Sequence, residues 1–197
     1  MMRSLAAIVA AGVAAVSLLS GTVANAAETT AVKATTSFTF VIDQFATRGP
    51  AGPQDQYIQI KNISLVAQDL SNFKISAAPS FSQIFDLATI PLGTVLQPGQ
   101  VYVVANAQGY SGGVVDQYFT TTIPLTDQTG IALVTPSNVR IDSVGTTPLS
   151  PFTVGRPATP LTSNAPLALV RHSNTGNNAA DFSVAMRTPG VPGPVTV

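Results

Sequence analysis

From Phe38 onward the chain never sustains an apolar stripe with helical spacing. Short runs of β-branched and aromatic residues are cut off repeatedly by Gly, Pro, Asn and Asp. Side chains of a strand alternate between two faces, so a period of two marks a strand; no window keeps the 3.6 period of a helix for three turns. The chain is therefore expected to be all-β, with eight to ten short strands and little helix.

SFTFVIDQF (37–45) places Phe38, Phe40 and Ile42 on one face. DQYIQIKNI (55–63) sets Ile58 and Ile60 against Tyr57, Gln59 and Lys61, the pattern of a half-buried strand. DLSNFKI (69–75) reads as a strand with Leu70, Phe73 and Ile75 facing the core, and SQIFDLATI (82–90) as another. Pro98-Gly99 predicts a type II turn, because Pro presets the first dihedral and Gly supplies the positive one. VYVVA follows it. DQYFTTTI (116–123) is a weaker strand, and GIALVTPSNVRIDSVG (130–145) a hairpin turning at Pro136-Ser137-Asn138. Five prolines in 147–166 exclude a central strand or long helix there. LALVR (167–171) and ADFSVAM (180–186) read as further strands, and TPGVPGPVTV as a frayed tail.

Hydrophobic residues make up 45% of the chain and charged ones 9%, so there is ample apolar surface for one core. The N-terminus reads as a secretory signal peptide over 1–26: Arg3, an apolar run from Leu5 to Leu19, then Ala24-Asn25-Ala26 as a small-x-small cleavage pattern. Residues 27–37 are expected to form a flexible leader, 38–193 one sandwich domain, and 194–197 a C-terminal tail. Cleavage would leave eight cations against nine anions, a net charge of −1. No further apolar stretch reaches membrane-spanning length, and the scattered cations argue against nucleic acid as a partner. Cysteine is absent, so neither disulfides nor thiolate metal sites hold the fold. The expected location is secreted and extracellular, or periplasmic if the source has an outer membrane.

The order of these segments resembles the lamin tail domain family. DQYIQIKN (55–62) is similar to its D-E-Y-I-E-L-x-N pattern, and DLSNFKI (69–75) to D-L-S-G-W-x-L. IPLGTVLQPGQVYVVAN (90–106) resembles its P-x-G-T-x-L-x-P-G stretch, and 130–145 its closing hairpin. LALVRHSNTGNNAADFSVAMRTPGVPG (167–193) resembles an extension seen in bacterial members. The resemblance implies an immunoglobulin-like two-sheet β-sandwich. Gln56 and Gln59 stand where the pattern has Glu, Asn72 where it often has Gly, and Phe73 where it often has Trp.

Little in the chain points to catalysis. His172 is the only histidine, and no nucleophile elbow accompanies it. The single Glu and eight scattered Asp do not form a glycosidase pair. The loop SNTGNNAAD offers Asn174, Asn177, Asn178 and Asp181 as weak calcium candidates, although Asn and Gly also serve ordinary turns. No metal or other cofactor is otherwise expected. Arg171 and Asp181 flank this loop and would close it as an ion pair. Tyr57, Tyr102, Tyr110 and Tyr118 read as strand residues rather than a sugar-stacking row. The expectation is a non-enzymatic exported module that binds or scaffolds at the cell surface or in the extracellular space, with a protein or cell-envelope component as partner. The alternative is an accessory subunit of an exported hydrolase or phosphoesterase.

Overall fold

The computed structural model describes residues 37–123 and 125–196. The expected signal peptide (1–26), and all of the expected leader except Ser37, lie outside the described residues. The first strands are β1 (Phe40–Ala46), β2 (Tyr57–Asn62), β3 (Gln68–Asp69), β4 (Lys74–Ser80), β5 (Gln83–Thr89) and β6 (Val95–Leu96). They continue with β7 (Val101–Asn106), β8 (Gln117–Phe119), β9 (Gly130–Val134), β10 (Arg140–Gly145) and β11 (Leu167–Arg171). One helical turn, α1 (Asn178–Asp181), precedes β12 (Phe182–Met186).

Two sheets carry the fold. One has six strands in the order β12-β11-β1-β2-β7-β8, and the other has four in the order β10-β9-β4-β5. β3 and β6 form a small separate pair. The chain is an immunoglobulin-like β-sandwich whose main core joins Phe40, Ile42, Ile58 and Ile60 of the first sheet to Ile75, Ile131, Leu133 and Val144 of the second. This apolar burial is the dominant favourable term in a chain without disulfides.

The expected turns form for the expected reasons. Gly99 has φ 76°, and the Gln100 N–H donates to the Gln97 carbonyl across Pro98-Gly99. Asn138 takes φ 63° in the β9–β10 hairpin, a conformation Asn tolerates. Asn72 does the same at φ 61°, in the place where the family pattern often has Gly.

Several expectations need correction. The 69–75 segment is not one strand: the Asn72 turn separates β3 from β4. Phe73 beside that turn is only partly buried, meeting Phe40 edge to face at 5.6 Å. Phe38 is 70% exposed, because β1 begins two residues after it. Only Gln117–Phe119 of the 116–123 segment forms a strand, and it runs parallel to β7.

The largest departure concerns β2, where every residue is buried, the polar face included. Residues 188–196, expected to be frayed, pack against the fold instead. This segment crosses the outer face of the six-stranded sheet, and Val195 joins Val41 and Ile63 in a small apolar cluster. A bulge between Ile42 and Gln44 inserts an extra residue into β1. It leaves both Asp43 and Gln44 hydrogen-bonded to that segment.

Candidate binding cleft

The sandwich has one end where three connections meet: β1–β2, β7–β8 and β8–β9. Gln56 and Asn106 bind them together. The Gln56 side-chain amide donates to the carbonyls of Thr47, Pro53 and Leu125, and its oxygen accepts from the Asn106 amide at 3.1 Å. A glutamate there would face three carbonyls with no proton to donate, which accounts for Gln56 in this chain, where the family pattern has Glu. Gln59 follows the same logic: its amide donates to Asp43 at 2.8 Å, where a second carboxylate would repel.

Asp55, fully buried, gathers the neighbouring loops. It accepts from the backbone N–H groups of Ala51 and Ser111, from the Ser111 hydroxyl, and from Arg187 at 2.9 Å. Burial pushes its carboxyl up, but the Ser111 hydroxyl, Arg187 and the two backbone N–H groups outweigh it, so the net displacement is downward. Gly49 permits this approach: a Cβ there would lie 2.6 Å from both the Arg187 guanidinium and the Asp55 carboxylate. Tyr110 packs on Tyr57 at 5.8 Å, and burial raises both phenols, that of Tyr110 to about 12.

Between the three loops opens a cleft of about 720 Å³. Gln56 and Asn106 line its base, Pro53 and Leu125 supply apolar surface, and Gln54, Gln108 and Thr122 stand exposed at its walls. Among the described residues, the side chains of these last three make no hydrogen bond. The charges at the cleft neutralise one another. Asp127 accepts from Thr47 at 2.7 Å and from both Nε and Nη2 of Arg48. The Arg48 guanidinium is pushed further up by its hydrogen bonds to Asp127. The lining is thus neutral and hydrogen-bonding, with donors and acceptors interleaved. Sequence reasoning missed this site. Its one signal was a concentration of Gln, Asn and Thr in connections far apart along the chain.

The candidates that sequence reasoning did name lie elsewhere. The His172 side chain is exposed and makes no hydrogen bond among the described residues. The Asn/Asp loop folds around Asp181, whose Oδ1 accepts from the Ser173 hydroxyl, the Thr175 hydroxyl and the Thr175 N–H. Its Oδ2 accepts from the N–H groups of Gly176 and Asn177. Asn177 accepts from the Arg156 N–H, and Asn178 from the N–H groups of Gly145 and Val154. The Asn174 amide donates to the Ser37 carbonyl, and its oxygen accepts from Arg171 at 3.4 Å. All four oxygen donors are therefore engaged with protein groups. Among the described residues there is no cluster of three or more His, Cys, Asp or Glu.

Arg171 does pair with Asp181, at 3.7 Å, but its principal partner is Asp142, at 2.7 Å. Arg171 is 1% exposed, so this is a buried network rather than a surface pair. Its Nε donates to the Ile42 carbonyl while Asp142 accepts from the Ile42 N–H, so one ion pair ties β11, β10 and β1 across the two sheets. The guanidinium lies 4.4 Å from the centroid of the Phe182 ring. Burial pushes the Asp142 carboxyl up, against the pull of Arg171 and the Ile42 N–H.

Fold and site together define a β-sandwich module with a neutral polar cleft at its loop end. The sequence model of the Lamin Tail Domain matches residues 33–148, more than half of the chain. The chain belongs to the lamin tail domain family. No curated protein matches it. A crystal structure of a DUF4876 family protein from Bacteroides thetaiotaomicron has a similar fold, with TM-score 0.51 and 11% identity. The likeness covers 80% of this chain and 75% of that one. No helix among the described residues is long and apolar enough to cross a membrane.

Proposed function

We propose that this chain is an exported, non-enzymatic binding module whose loop-end cleft contacts a neutral, hydroxyl- or amide-rich component of the cell envelope or extracellular matrix. The observation that carries this reading is the cleft's lining. Exposed Gln54, Gln108 and Thr122 each offer both a donor and an acceptor, while Arg48 and Asp127 cancel each other. Such a surface gives a charged ligand little and matches a ligand whose groups both donate and accept. Acid–base catalysis needs a titrating group poised against a reacting centre. Asp127 is tied to Arg48 and Thr47, and His172 does not line the cleft. The Asn174–Asp181 loop is read as a structural knot rather than a cation site.

Isothermal titration of the purified domain with neutral hexose and N-acetylhexosamine oligomers tests the reading. Saturable binding that is lost in Gln54→Ala/Gln108→Ala supports it. Binding that survives this double substitution, or turnover of any of these oligomers, contradicts it.

A further inference from the structure

The outer face of the six-stranded sheet, separate from the cleft, is covered by the chain's own C-terminal segment. Residues 188–196 cross it without regular secondary structure. They begin in a turn at Pro189-Gly190, closed by the Val191 N–H donating to the Thr188 carbonyl at 3.0 Å. Four buried side chains of β1 and β2 then read this segment through its backbone. Gln44 donates to the carbonyls of Thr188 and Val191 and accepts from the Thr188 N–H. Gln59 donates to the Val191 carbonyl and accepts from the Gly190 N–H at 2.8 Å. Asp43 accepts from the Gly193 N–H at 2.9 Å. The Lys61 ammonium donates to the carbonyls of Gly193 and Val195. The one strap side chain that Gln44 also reaches is the Thr188 hydroxyl.

Backbone reading of this kind tolerates most side chains but excludes them where the chain comes closest. A Cβ at Gly193 would lie 2.5 Å from Asp43 Oδ1. A Cβ at Gly190 would meet Val114 at 2.8 Å, and Gly190 also has φ 84°, which side-chain-bearing residues rarely adopt. Between these glycines, Val191 and Pro192 point outward and are exposed. Val195 anchors the far end in its apolar cluster. The resident segment also leaves capacity unused: Asp43 Oδ1 is buried and has no hydrogen-bond partner among the described residues.

We propose that this face is a peptide-binding groove selective for a Pro-Gly turn followed by a second glycine three residues on, and that residues 188–196 are its resident ligand in cis. The tether raises the effective concentration of the resident segment, so an identical peptide in trans binds only after that segment is released.

The test uses the whole chain with a site-specific protease sequence inserted between Arg187 and Thr188. After cleavage and dilution, a fluorescently labelled peptide TPGVPGPVTV is titrated in, with polarisation as the readout and circular dichroism confirming the fold. Expected results are saturable binding to the cleaved protein and none to the uncut protein at the same concentration. Peptides carrying Gly190→Ala or Gly193→Ala should bind more weakly by about tenfold or more, while Val191→Ala in the peptide changes little. The proposal is overturned if the cleaved protein does not bind the peptide, if the glycine substitutions have no effect, or if release of the segment unfolds the sandwich.

Discussion

Arg171 shows how much one residue can carry that its local sequence does not reveal. Arg171 and Asp181 were legible as a pair because they flank one loop. Asp142 was not, because it lies on a strand far along the chain and meets Arg171 only when the two sheets close. Burial also changes the energetics. An exposed pair contributes little, whereas removing one member of a buried pair leaves an uncompensated charge. Arg171→Ala is expected to destabilise the domain by about 3–5 kcal/mol in denaturant unfolding, far more than a surface pair would. A loss under 1 kcal/mol would show that the carboxylates reach solvent once the guanidinium is gone. Gln56 and Gln59 teach the same lesson. Each stands where the family pattern has Glu, yet each is buried and needs an N–H to donate.

At the scale of elements, turns were legible and coverings were not. Pro98-Gly99 and Pro136-Ser137-Asn138 announce their geometry through residues that tolerate it. The burial of Gln59 and Lys61 depends on a Pro/Gly-rich segment more than a hundred residues later, which local alternation cannot encode. The loops around Asp55 carry a pH prediction. Because the Asp55 carboxyl is held below its ordinary 3.8 in the fold, protons favour the unfolded chain. The stability it contributes is complete above 3.8 and lost as pH falls through its lower folded value. Asp142 has the opposite sign: its share is complete below 3.8 and declines as pH rises through its elevated folded value. Asp55→Asn should therefore lose less stability than the parent on acidification below pH ~4, measured by urea unfolding at each pH. Equal acid slopes would remove Asp55 from the account. The loop around Asp181 gives a further test: millimolar calcium should leave the melting temperature unchanged, since the oxygens of Asn174, Asn177, Asn178 and Asp181 already have protein partners. A calcium-dependent rise would reinstate them as ligands.

At the scale of the whole molecule, the all-β class was legible in the period-two apolar alternation, and the two-sheet arrangement in the order of segments that resembles the lamin tail domain family. The ranking of core residues was less so. Phe40, 2% exposed, lies at the centre, while Phe73 sits beside a turn and is only partly buried. Phe40→Ala should cost about 3–5 kcal/mol and Phe73→Ala distinctly less, by the same unfolding measurement. The reverse order would mean that the edge of the sandwich, not its centre, limits stability. The cleft was illegible for a related reason: it exists only where three loops converge, and none of its residues belongs to a catalytic or metal-binding pattern. Its role as the contact surface is the central claim, and amide-resolved NMR during titration with the neutral oligomers tests it most directly. The account predicts shifts confined to residues 47–56, 106–108 and 121–127, with the oligomers recovered intact. Shifts centred on the loop at 172–181, or signals of a cleaved oligomer growing in during the titration, would contradict it.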